Sequence, residues 1–324
     1  LGKFWGKNEH ECFAETLYLR RMEFGKLPSI EQVNFSLPPD PPENAGLLAR
    51  TGGQPPGQHL FIGATGWSMK EWNGKIYPKG TKPQDMLRHY TRQFNTIELN
   101  STHYHIPDHF TIQHWHDEAA ADFRFCPKVL QRISHARDLG VNGPLIGQFC
   151  EALSGLYGKL GPCFIQLPPH FGADRMAVLE EFLKHFSLPV AVEARNESWF
   201  ANQQNFRRLM ALLEKYEAST VITDVAGRRD VCHLRLSSPK VLVRFVGNNL
   251  HPSDFSRLDE WAGRLEYWFG LGLEEAYFFT HEPDNLLAPD LALYLFEKMK
   301  NVDGLTTRGP SWQEPGSGEQ LSLF

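Results

Sequence analysis

The chain is 324 residues long, 41% hydrophobic and 22% charged, with a formal net charge of −5 and a pI near 6.3. These values fit a folded globular protein with room for one large barrel or two small domains. The negative balance excludes a protein that coats nucleic acid through a general basic field, so any DNA contact is expected to be local.

No run approaches the roughly 18 consecutive apolar residues that span a bilayer, and the amino terminus has scattered charges instead of a basic patch and an apolar core. The expectation is a cytoplasmic protein without a membrane partner. The five cysteines (Cys12, Cys126, Cys150, Cys163, Cys232) are odd in number and far apart, and they read as reduced core residues.

In chain order, residues 1–21 show no clear period, and Met22 is a plausible natural start. Residues 36–58 are rich in proline and glycine, which opposes both helix and central strand. Residues 1–59 are therefore expected to be an extension and arm. From Leu60 short apolar runs alternate with segments of helical period. Strands are predicted at 60–64, 96–99, 123–126, 162–167, 189–193, 219–223, 240–246 and 275–279. Helices are predicted at 83–94, 144–158, 174–186, 202–216, 254–270 and 288–300. Eight strands with intervening helices over residues 60–300 indicate an α/β fold, a TIM-type (β/α)8 barrel or a close variant. After Asn301 the helical period is lost, and residues 301–324 read as a flexible tail. No dinucleotide fingerprint, phosphate loop or serine elbow occurs, which removes the usual support for those chemistries.

Barrels of this kind place their chemistry where strands end at the carboxyl face. The polar residues there are Glu98, Asn100, His103, Tyr104 and His105 after strand two, Lys128 after strand three and Gln166 after strand four. Glu193 and Arg195 follow strand five, Asp224 strand six, Arg244 lies on strand seven, and Thr280 and His281 end strand eight. Glu98, Glu193 and Asp224 are expected to face Lys128, Arg195 and Arg244, a mixed-charge mouth able to poise a general acid or base. The competing reading is a set of ion pairs that merely satisfies charges at the barrel top. Trp67, Tyr104 and Trp199 are candidates to wall a pocket. His103 and His105 reach a divalent metal only if carboxylates complete the ligand set, so the metal question stays open. His114 and His116, two apart on a helical stretch, point to different faces.

The run IGATGWSMKEWNGKIYP, followed in order by FNTIELNSTHY, FRFCPK, QLPP, VEARNESW and VRFVG, resembles the YecE-like family, domain of unknown function 72. The resemblance spans about residues 60–300 and implies a TIM-barrel-like fold with an activity the family does not define. By position it implies the polar set Glu98, Asn100, Tyr104, Lys128, His135, Gln166, Glu193, Arg195, Trp199 and Arg244. The chain departs from the family pattern at Thr280-His281, where relatives carry paired asparagines, and at His103 and His105.

The chain ends in Gln320-Leu321-Ser322-Leu323-Phe324, which resembles the peptide by which bacterial replication and repair proteins dock on the DNA sliding clamp. Leucine and phenylalanine on a tether would anchor in an apolar groove while glutamine fixes register. The alternative is that these apolar residues fold back on the barrel. Three functions follow: a clamp-recruited enzyme acting on a sugar-phosphate, nucleotide or DNA-backbone substrate, a non-catalytic ligand-binding module on the same tether, or an ordinary metabolic enzyme unrelated to DNA whose tail is structural.

Overall fold

The structure, a computed structural model, describes residue 25 and residues 27–50 and 57–313. The predicted strands are observed as β1 (Gln58–Ala64), β2 (Thr96–Leu99), β3 (Arg124–Pro127), β4 (Cys163–Gln166), β5 (Val190–Glu193), β6 (Ser219–Asp224), β7 (Lys240–Val246) and β8 (Glu275–His281), all parallel to their neighbours. Their order is β3-β2-β1-β8-β7-β6-β5-β4. The ring closes between β3 and β4 through bridges at Phe125–Leu160 and Lys128–Phe164. This is a nearly closed TIM-type barrel.

Both faces of the strands are covered, which is why they read as continuous apolar runs. Inward residues Phe61, Cys126, Phe164, Ala191, Val221, Leu242, Tyr277 and Phe279 fill the barrel as a separate cluster. Phe61 and Tyr277 stack inside it with ring centroids 4.6 Å apart. Outward residues join the larger core beneath the helices.

The helices longer than a single turn are α1 (Glu43–Ala49), α2 (Met86–Gln93), α3 (His109–Glu118), α4 (Leu145–Ser154), α5 (Met176–His185), α6 (Gln203–Lys215), α7 (Pro252–Leu271) and α8 (Ala288–Met299). Two were absent from the predicted set. α1 lies inside the proline-rich arm, yet the prolines that precede it end at Pro42, the cap position, and a helix start tolerates proline because its first N–H groups lack intrahelical partners. α3 buries only Ile112 and Trp115 among ten residues, so its period is faint; its start is marked by Asp108, whose side chain accepts from Thr111 N.

The arm is packed on the barrel. Asp40 Oδ1 accepts from Arg264, Trp268 and Asn44 at 2.7–3.0 Å, and Leu37 N donates to Glu260. The tail also begins with structure: β9 (Leu305–Arg308) pairs with Gln58–Phe61 of β1, while Gly63 and Ala64 pair with β2. β9 thus fills a split between β1 and β2 at the amino-terminal end, so the flexible reading fails for its first part. The Asn95 side chain spans the same split, accepting from Ile62 N and donating to Leu60 O. Gly63 stands where β1 changes partner, and a Cβ there would lie 2.2 Å from Thr96 O. The four described cysteines are buried and free; Cys12, Met22 and Gln320–Phe324 lie outside the described residues. Among the described residues no helix is long and apolar enough to cross a membrane.

Candidate active site at the carboxyl-terminal mouth

Strand alternation decides which polar residues meet. Residues two apart share a face, so the inward series Cys126, Phe164, Ala191, Val221, Leu242 and Phe279 is followed, one layer higher, by Lys128, Gln166, Glu193, Thr223, Arg244 and His281. Glu98 from β2 joins this layer. Arg244 sits between the two carboxylates. Its Nε and Nη2 donate to Glu98 at 2.8 and 3.1 Å, and its Nη1 donates to both oxygens of Glu193 at 3.1 Å. Both carboxylates are buried, with Glu98 0% and Glu193 2% exposed.

Each carboxylate has further partners. Glu193 accepts from Arg195 Nε at 3.0 Å, Gln166 Nε2 at 2.7 Å and Thr223 Oγ1 at 3.1 Å. Glu98 accepts from Asn100 Nδ2 at 3.1 Å and lies 2.9 Å from His281 Nε2. Burial alone would raise both carboxyl pKa values, but the cations override it. Arg244 and His281 hold Glu98 well below the usual range, and Arg195 and Arg244 bring Glu193 to about 2. Both are therefore permanent anions that orient guanidinium groups. They are not poised as acids at neutral pH.

Lys128 differs from these. Its Nζ donates to the neutral Gln166 Oε1 at 3.1 Å, stands 5.9 Å from the centre of the Phe164 ring, and makes no ion pair among the described residues. Burial and the nearby Arg244 lower its pKa to about 8, against the pull of Glu98 and Glu193. Lys128, Arg195 and Arg244 outnumber the carboxylates Glu98 and Glu193 when Lys128 is protonated, and any charge on His281 adds to that positive surplus, which favours an anionic ligand.

A family model described as "Protein of unknown function DUF72" matches residues 61–314. The chain belongs to the DUF72 family. UPF0759 protein YecE of Escherichia coli is 29% identical over 287 residues, covering 82% of this chain and all of that protein. UPF0759 protein YunF of Bacillus subtilis is 29% identical over 151 residues, 44% of this chain and 52% of that one. The crystal structure of a DUF72 family protein from Enterococcus faecalis covers 76% of this chain and 99% of its own at 20% identity and a TM-score of 0.60. One from Thermotoga maritima covers 75% and 98% at 21% identity and a TM-score of 0.57. These two share the fold.

The DUF72 barrel does not bring every expected residue to the mouth. Asp224 follows inward Thr223 and so points outward, behind the sheet, where it is fully buried against Arg257, Arg229 and Trp261 Nε1. The strand end sets its height at the rim, but alternation turns its side chain away from the mouth, against expectation. Trp199 is fully buried and donates to Phe171 O at 2.9 Å, a packing role in place of a pocket wall. Tyr104 is 72% exposed and packs edge-on against His103, outside the charged layer. His135 is exposed, lies edge-on to His103 and has Nδ1 3.0 Å from Ser134 Oγ. His103 is buried with Nδ1 2.8 Å from Val129 O, whereas His105 is exposed. Among the described residues no three His, Cys, Asp or Glu side chains converge as a metal-binding set. Thr280 points outward, donating to Ala288 O. Sequence reasoning missed Thr223 and Phe164; counting alternate residues from Val221 and from Gln166 would have found both.

Proposed function

We propose that this barrel is an enzyme acting on a phosphorylated sugar, free or within a nucleotide or DNA backbone, by proton transfer at its carboxyl-terminal mouth. The observation that carries this reading is Lys128, an amine with a pKa near 8, left outside the ion pairs of a layer whose other charges are locked together. A poised group next to fixed dipoles and charges is the arrangement that general acid–base catalysis requires. In this reading Lys128 and His281 move protons, Arg195 holds the phosphate, and Glu98 and Glu193 orient Arg244 and Arg195 without changing protonation.

The test is exchange of carbon-bound hydrogen beside the carbonyl group of pentose and hexose phosphates in heavy water, followed by proton NMR. Wild type should catalyse exchange with at least one of them, and Lys128→Met should lose it by about a hundred-fold or more. Equal exchange by the two proteins would remove Lys128 from the chemistry.

The tail adds a second part to the proposal. Gln320 to Phe324 would recruit the enzyme to the bacterial sliding clamp, on the strength of the sequence resemblance alone. Calorimetry with a purified clamp should show binding by the full chain and none by a chain ending at Glu319. Binding that survives this truncation would exclude the tail as the docking element.

A further inference from the structure

Resting on the reading of the mouth as a phosphorylated-sugar site, we propose that Lys128 is an imine-forming nucleophile that captures the carbonyl carbon of an aldehyde or ketone sugar phosphate. Lys128 stands at the seam where β3 meets β4, its backbone bridged to Phe164, directly above the inward cluster that closes the barrel below. The residue is half-buried, and Nζ is flanked by the Phe164 ring and the neutral Gln166 amide. The charged groups facing it are Glu98, Glu193, Arg195 and Arg244. Both carboxylates are already committed to Arg244, so neither forms an ion pair with the lysine that would hold it protonated. About a tenth of the amine is therefore neutral at pH 7, given a pKa of about 8, whereas an ordinary lysine near 10.4 has far less.

The step balances without oxidant or reductant. The nitrogen lone pair attacks the carbonyl carbon, the carbonyl oxygen takes up a proton and the nitrogen releases one, giving a carbinolamine. Its hydroxyl takes a second proton and leaves as water, and the nitrogen retains the C=N bond; loss of the remaining N–H proton gives the neutral imine. His281, hydrogen-bonded to Glu98 at 2.9 Å on the same layer, is the imidazole placed to deliver that second proton. The protonated imine keeps the positive charge of the lysine, so the two carboxylates next to it stay compensated. Arg195, whose side chain is 17% exposed, is the guanidinium placed to meet the phosphate.

The carbonyl could belong to a free sugar phosphate or to the deoxyribose of an abasic site in DNA, and the test separates the two. Full-length protein is incubated at pH 7 with ribose 5-phosphate, or with an oligonucleotide carrying one abasic site, and sodium borohydride is added to reduce any C=N bond to a stable amine. The adduct is located by peptide mapping of the wild-type protein, so the assignment does not depend on a variant that folds. Label on Lys128 should exceed that on any surface lysine by about ten-fold or more, and Lys128→Gln should show only the surface background. Adduct from the sugar phosphate alone identifies a metabolite, and adduct from the oligonucleotide identifies DNA; either supports the imine. Label confined to surface lysines, or no label from either probe, overturns it. Calorimetric binding of ribose 5-phosphate by the same sample then separates the two readings: binding without adduct overturns the imine alone, and absence of both overturns the phosphorylated-sugar site as well.

Discussion

Lys128 is held where its charged form is disfavoured. Its folded pKa of about 8 lies below the ordinary lysine value of about 10.4, so between these values the unfolded chain binds more protons than the native one. Stability from this group thus rises as pH climbs from about 8 toward 10.4, and its full penalty is present below that window. Lys128→Met is expected to be more stable than wild type at pH 7, with the gap shrinking by pH 10, in urea denaturation at the two values; a gap that widens with pH would contradict the placement. Glu193 contributes stabilisation where Lys128 imposes a penalty, although both make stability rise with pH. Its folded pKa of about 2 is depressed from about 4.3, so its contribution is present above the latter and is lost as pH falls toward 2. Removing Arg244 would strand Glu98 and Glu193 together, and Arg244→Met should destabilise by about 3–5 kcal/mol at pH 7 in the same assay. An unchanged urea midpoint would mean that solvent, not Arg244, satisfies the two carboxylates. Most of these residues were legible from strand ends, because a charge at the end of an apolar run has few places to go. Asp224 was misplaced because the strand-end rule gives height along the barrel, whereas facing is set by the alternation that puts Thr223 inward.

β9 shows what a pattern of apolar residues leaves out. Leu305–Arg308 has a single apolar residue, and its strand exists because β1 has an unpaired edge below Gly63. The demand for a partner comes from the barrel split, which no local signal reports. Arg308 then fastens the strand: Nη2 donates to Thr91 O and Phe94 O at 2.9 and 3.0 Å, and Nη1 reaches Asp122 at 2.7 Å. Arg308→Ala should lower stability by about 1–3 kcal/mol by chemical denaturation, with two carbonyls left unsatisfied. No loss would mean that water replaces both bonds. The arm carries the same lesson in reverse. Its proline density suppressed a helix prediction, while the buried Asn44, which donates to Leu234 O and accepts from Leu236 N, ties α1 to the loop before β7.

For the molecule as a whole, the alternation of apolar runs and amphipathic segments was enough to identify an eight-stranded barrel, since each β-α unit is locally encoded. What the alternation does not encode is the coupling around the ring. Glu98, Glu193 and Arg244 are 51 to 146 positions apart in the chain, yet they form one hydrogen-bonded layer because their strands place them at one height. That layer, with its surplus positive charge and its poised lysine, is the basis of the proposal that the mouth takes an anionic sugar. The most direct measurement is calorimetric titration of ribose 5-phosphate into the full-length protein and into Arg195→Gln. Saturable binding at one site, weakened about ten-fold or more in the variant, is expected if the mouth holds the phosphate. Absence of binding to wild type together with no adduct from the abasic oligonucleotide, or equal affinity in the two proteins, would contradict an anion-holding site at the mouth.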